Sequence, residues 1–80
     1  MTEEEKAAGR EVFRYRRADE VRIYSLHLFP DRAELWRVTV RPGEPDHAIK
    51  EEDFRSVDAA VPFFDEVQRT LTAGGWRVSQ

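Results

Sequence analysis

The chain predicts an α+β domain: a small antiparallel β-meander of three to four strands with one C-terminal α-helix packed on one face. Three observations predict it. Between Glu11 and Arg55, short runs alternate apolar and polar residues, the period of strands whose two faces meet different surroundings. Turn chemistry separates the runs, most clearly at Pro30-Asp31-Arg32 and Pro42-Gly43-Glu44-Pro45-Asp46, where proline presets a torsion and Asp or Gly suits the next position. From Val57 onward the period changes, because Val57, Ala60, Val61, Phe64, Val67 and Leu71 recur at intervals of three and four. A helix with one apolar side needs a sheet to cover.

Size and composition set the frame. At 80 residues and 40% hydrophobic, the chain holds one domain with one modest core, too small to enclose a deep active site. Residues 1–10, with TEEEKAAGR and no apolar face, read as a frayed or disordered N-terminus, and residues 11–80 as the domain. The absence of cysteine removes disulfides, thiolate metal sites and thiol nucleophiles, and stability must come from packing. No signal or transit peptide and no bilayer-spanning run is legible, so a cytoplasmic, bacterial-type protein with no membrane partner is expected.

The first strand is Glu11–Arg17, with Phe13 and Tyr15 on one face and Arg14 and Arg16 on the other. Ala18 to Glu20 turn the chain into Val21–Phe29, where Tyr24, Leu26 and Leu28 face one way and Ile23, Ser25, His27 and Phe29 the other. Apolar residues on both faces mark a central strand. Ala33–Arg41 sets Trp36, Val38 and Val40 against Arg37, Thr39 and Arg41, and its polar face is expected to be wet. His47–Arg55 is a weaker strand, anchored by Ile49 and Phe54, whose irregular spacing predicts a bulge or an early end.

In the helix, Ser56 stands where a cap is wanted. Pro62 lacks an amide hydrogen and crowds the preceding turn, so an irregular first turn is expected, with the regular helix beginning near Val61. At the far end Ala73-Gly74-Gly75 offers a left-handed C-terminal cap, with Trp76 packing back on the last turn. Residues 77–80 add a short terminal strand.

Charge is uneven. Residues 10–41 carry eight arginines against five acids, whereas residues 42–80 carry four bases against eight acids. Arg14, Arg16, Arg37 and Arg41, with His27 and Thr39 nearby, form a candidate basic stripe opposite Phe13, Tyr15, Trp36 and Val38, suited to the phosphates of DNA or RNA. The competing reading is a solvated face with pairs to Glu11 or Glu34. Trp36 and Tyr15 are candidates for stacking on bases, or else core residues. The acid runs Glu51-Glu52-Asp53 and Asp65-Glu66, the serines and the two histidines form no catalytic or metal-ligating pattern. No cofactor, metal or enzymatic activity is therefore expected, and a protein-interaction domain, including a homodimer joined through strand edges, stands as the alternative to a nucleic-acid binder.

The pattern Phe54-x-Ser56, Ala60, Phe64 and Gly75-Trp76, with Tyr24-Ser25-Leu26-His27-Leu28 upstream, resembles the WGR domain, a small module found in some poly-ADP-ribose polymerases and alone in bacteria. The resemblance implies the sheet-and-helix architecture and contacts with DNA or partner domains. It departs at the signature: where the family carries Trp-Gly-Arg, this chain reads Arg41-Pro42-Gly43-Glu44-Pro45. Only Tyr24, Leu26, Phe54, Ala60, Phe64 and Gly75 carry over, as fold residues. A second resemblance, through Glu11-Val12-Phe13, Arg17-Ala18 and Tyr24, is to Pur-type single-stranded nucleic-acid-binding repeats.

Overall fold

The computed structural model describes residues 9–79. The frayed segment expected over residues 1–10 falls mostly outside them, and Arg10 at its end belongs to the first strand. Five strands and one helix follow in order: β1 (Arg10–Arg17), β2 (Glu20–Phe29), β3 (Arg32–Val40), β4 (His47–Phe54), α1 (Val57–Ala73) and β5 (Arg77–Val78). The antiparallel sheet has the order β4-β3-β2-β1-β5. The α+β architecture is as expected, with β2 central and the terminal segment adding a fifth strand beside β1.

Turn chemistry fixes the meander. Ala18 and Asp19 form a two-residue hairpin loop, closed by the Arg17 and Glu20 pair. Ala18 has φ 55°, the positive first torsion of a type II′ turn, whose twist matches that of the strands. Pro30-Asp31 closes the second hairpin between Phe29 and Arg32. In the third connection Gly43 takes φ 76° after Pro42, and the Glu44 amide donates to the Arg41 carbonyl at 3.2 Å, a type II turn. The irregularity expected in β4 is a bulge: Leu35 pairs with Glu52 and Trp36 with Lys50, which leaves Glu51 as the extra residue.

Helix α1 differs from expectation at its start. It is continuous from Val57, with Pro62 inside it, and Ser56 Oγ accepts from the Ala59 amide at 3.3 Å. Only one intrahelical bond is lost to the proline, that to the Asp58 carbonyl. Asp58 and Pro62 are both exposed, so water can take that acceptor, while Ala60, Phe63, Phe64, Val67 and Leu71 hold the segment on the sheet. Val57 and Val61, assigned to the apolar face by spacing, are exposed, and Phe63 takes their place by stacking edge-on against Phe54. The C-terminus is a Schellman motif: the Trp76 amide donates to the Leu71 carbonyl at 2.9 Å, the Gly75 amide to that of Thr72 at 3.1 Å, and Gly75 has φ 90°.

The core lies between the helix and one sheet face. Tyr15, Tyr24, Leu26, Ala33, Leu35, Ala60, Leu71 and Trp76 are buried in it. Tyr15 keeps its hydroxyl satisfied by donating to Gln68 Oε1 at 2.9 Å. The other sheet face carries no element among the described residues.

Candidate partner-binding face

Residues paired across an antiparallel ladder point to the same side, so the register assigns every side chain to a face. Leu26 pairs with Leu35, Tyr24 with Arg37 and Arg22 with Thr39; on the other edge Phe13 pairs with Tyr24 and Tyr15 with Arg22. All of these lie on the helix side. Ile23 pairs with Val38, Ser25 with Trp36 and His27 with Glu34, while Arg14 pairs with Ile23 and Arg16 with Val21. Those occupy the helix-free face.

The single basic stripe is thereby corrected. Arg14, Arg16 and His27 sit on the helix-free face, whereas Arg37 and Thr39 belong to the helix side and Arg41 lies past the end of β3, where it reaches Glu20. Phe13 and Tyr15 do not share a face with Trp36 and Val38. Nor is the polar side of β3 wet throughout, because Thr39 is 7% exposed. The reason is the N-terminal half of the strand: Ala33 and Leu35 have the same parity as Arg37 and Thr39, and they are the residues α1 covers. The Leu26 and Leu35 match was the signal that would have revealed it.

Arg37 and Arg41 are already answered. Arg37 Nε lies 3.2 Å from Glu51 Oε2, close enough for an ion pair but outside hydrogen-bond geometry. Arg41 Nη2 approaches Glu20 Oε2 at 2.8 Å on the same terms. On the helix-free face, Arg14 is bidentate to Glu11, at 3.0 and 2.8 Å, a pair within one strand rather than across two. Among the described residues Arg16 has no acidic partner.

The centre of the helix-free face is Trp36. Its indole Nε1–H donates to Glu34 Oε1 at 3.0 Å, and Glu34 Oε2 in turn takes Arg32 Nε at 3.1 Å with Lys50 Nζ at 3.9 Å. These donors hold the Glu34 carboxyl below the usual carboxylate range, the Trp36 hydrogen bond contributing most and partial burial opposing it. Arg32 is correspondingly raised, chiefly by its bond to Glu34, and its guanidinium lies 4.3 Å over the Phe29 ring. The His27 ring stands 5.9 Å from that of Trp36 and lies over Gly9, in space a Cβ there would fill. Ile23 with Val38 and then Val21 with Val40 continue this face toward the first hairpin, half-buried.

No family model, curated protein or solved structure matches this chain. The residues that carry the WGR resemblance all serve packing or capping: Tyr24, Leu26 and Ala60 are buried, Phe54 and Phe64 pack against them, and Gly75 supplies the left-handed cap. The helix-free face therefore takes its meaning from its own chemistry. Glu34 was missed as an organising residue because a single acid within a strand looks solvated. Its neighbours at i−2 and i+2, Arg32 and Trp36, share its face and are the legible signal.

Proposed function

We propose that this domain is a non-enzymatic binding module of a cytoplasmic, bacterial-type protein and that it takes single-stranded DNA or RNA on the helix-free sheet face. The observation that carries the reading is the position of Trp36: a half-exposed indole fixed by Glu34 beside His27, on the same face as Arg14 and Arg16. Base stacking on a fixed aromatic needs no sequence readout, and nearby arginines meet the backbone phosphates. A sheet face with stacking side chains is a common platform for single strands. The WGR-like and Pur-like readings belong to this proposal and add the same ligand class. Arg37, Thr39 and Arg41 have no direct part in it.

With Arg14 shared with Glu11 and Arg16 without an acidic partner among the described residues, roughly two phosphates are neutralised, so log K should fall with log salt at a slope between about −1 and −2. Anisotropy titration with labelled single-stranded, nicked and duplex oligonucleotides at low salt is the test. Tightest binding to the single strand is expected, with loss in Trp36→Ala and weakening in Arg16→Glu. Absence of salt-sensitive binding to all three would sink the reading.

Val21, Ile23, Val38 and Val40 favour a second reading, in which the same face docks a protein or a second copy of the chain. Light scattering that shows a dimer abolished by Val38→Lys would support it. A monomer across a wide concentration range would remove the dimer.

A further inference from the structure

The helix side holds a cleft of about 330 Å³ between the sheet and the C-terminal half of α1, separate from the face just described. Its floor is apolar, with Tyr24, Phe63 and Val67, and its walls bring Arg22 and Arg37 from the sheet toward Glu66 on the helix. We propose that this cleft binds an organic monocarboxylate with an apolar body, and that Arg22 is the residue that receives the carboxylate.

Arg22 is the one wall cation without an answer. Arg37 is offset by Glu51 at 3.2 Å, whereas Arg22 forms no ion pair among the described residues. Both Arg22 and Arg17 lie over the Trp76 ring, at 4.4 and 4.6 Å, but only Arg17 finds an acceptor there, donating through Nη1 to the Gly74 carbonyl at 3.0 Å. Arg22 Nε is shut off from solvent with no acceptor. Nε is thereby out of a ligand's reach, and with its face against Trp76 the Arg22 guanidinium presents its terminal Nη edge, two donors whose geometry a carboxylate matches with two parallel bonds.

Charge selects the ligand class. Arg37 and Glu51 cancel, and Arg22 with the exposed Glu66 across the cleft brings the lining to zero net charge, so Arg22 can meet one carboxylate locally while a second negative charge is disfavoured. A monoanion fits this balance and a phosphate dianion does not. The volume lies at the lower end for small-ligand clefts, enough for a carboxylate joined to one aromatic or branched aliphatic group. A free acid and the C-terminus of a peptide ending in an apolar residue present the same chemistry.

The test uses the full chain and NMR of the Arg22 Nε–H resonance. Titration with 3-phenylpropionate should shift it saturably, and the neutral 3-phenylpropionamide should bind at least about tenfold more weakly, the loss of a charge-assisted pair. Arg22→Gln, which lacks that resonance and is read instead on the backbone amides of the cleft residues Val67, Thr70 and Leu71, should abolish the saturable shift those amides show in the unaltered chain. Because that change also unstacks Trp76, Glu66→Gln, at an exposed helix position, supplies the second variant, and it should tighten binding by about twofold or more at low salt, where exposed charges are least screened. Acetyl-Gly-Phe with a free or an amidated terminus separates the two sources: binding of the free-terminus peptide tighter than 3-phenylpropionate assigns a peptide C-terminus, and the reverse a small acid. No saturable shift with either acid up to about 10 mM, a concentration that reveals affinities of about −4 kcal/mol or better, would overturn the proposal. Equal binding of acid and amide, or no tightening in Glu66→Gln, would do the same.

Discussion

Single residues carry one local cost and one local gain in this fold. Ala18 holds φ 55° in the first hairpin loop, where an L side chain costs roughly 1–2 kcal/mol. Glycine removes that strain but loses more entropy on folding, by about 0.4–1 kcal/mol. Ala18→Gly should therefore stabilise by about 0.5–1 kcal/mol net, read as a higher denaturant midpoint at constant slope. The second case is Glu34, 8% exposed and bound by Trp36 and Arg32. Its pKa is depressed in the folded chain, chiefly by the Trp36 hydrogen bond. The stabilisation it gives is thus complete above the unfolded carboxylate value, about 4.3, and is lost as pH falls through the lower folded value. Acid titration of the Trp36 indole Nε1–H resonance should show its transition below about pH 4.3, and a midpoint above that value would contradict the assignment. Glu34→Gln, which can still accept from the indole, should flatten the transition.

At the level of elements, α1 shows how tertiary contacts override a local breaker. Pro62 removes one backbone bond and crowds the turn before it, at a cost of about 3 kcal/mol in a helix interior. The helix nevertheless runs unbroken from Val57 to Ala73, because Ala60, Phe63 and Phe64 on both sides of the proline pack on the sheet. Pro62→Ala should recover about 1–3 kcal/mol, with a higher melting temperature and no change in the core. A drop in stability would mean the proline sets the approach of the helix. The sheet edges are also defined at this level. β4 carries a bulge and the acids Glu51, Glu52 and Asp53, features that oppose strand-to-strand pairing with another chain. If a second copy docks, the face is better suited than this edge.

For the molecule as a whole, one helix on a five-stranded sheet leaves the sheet with one side covered and, among the described residues, one side without an element. Leu35 is completely buried at the centre of the covered side, and Leu35→Ala should cost about 2–5 kcal/mol, measured by equilibrium unfolding. A smaller loss would mean that α1 settles into the space. The sequence by itself determined the elements. Period-2 runs, Pro-Asp and Pro-Gly turns, the Ser56 cap and the Gly74-Gly75 stop are local chemistry, legible from a few neighbouring residues, and the structure keeps each of them. Trp76 folding back on the helix was legible for the same reason. What only the tertiary structure decided is which side of each strand the helix covers. Alternation states that two faces differ but not which one is buried when both carry apolar residues, as in β2, or when a strand changes character along its length, as β3 does from Ala33 and Leu35 to Arg37 and Thr39. Register across three strands settles that choice at once. It puts Trp36 outside with Arg14 and Arg16, and it puts Arg22 and Arg37 beside the helix, so the candidate binding face and the arginine cleft became visible only when the strands were paired.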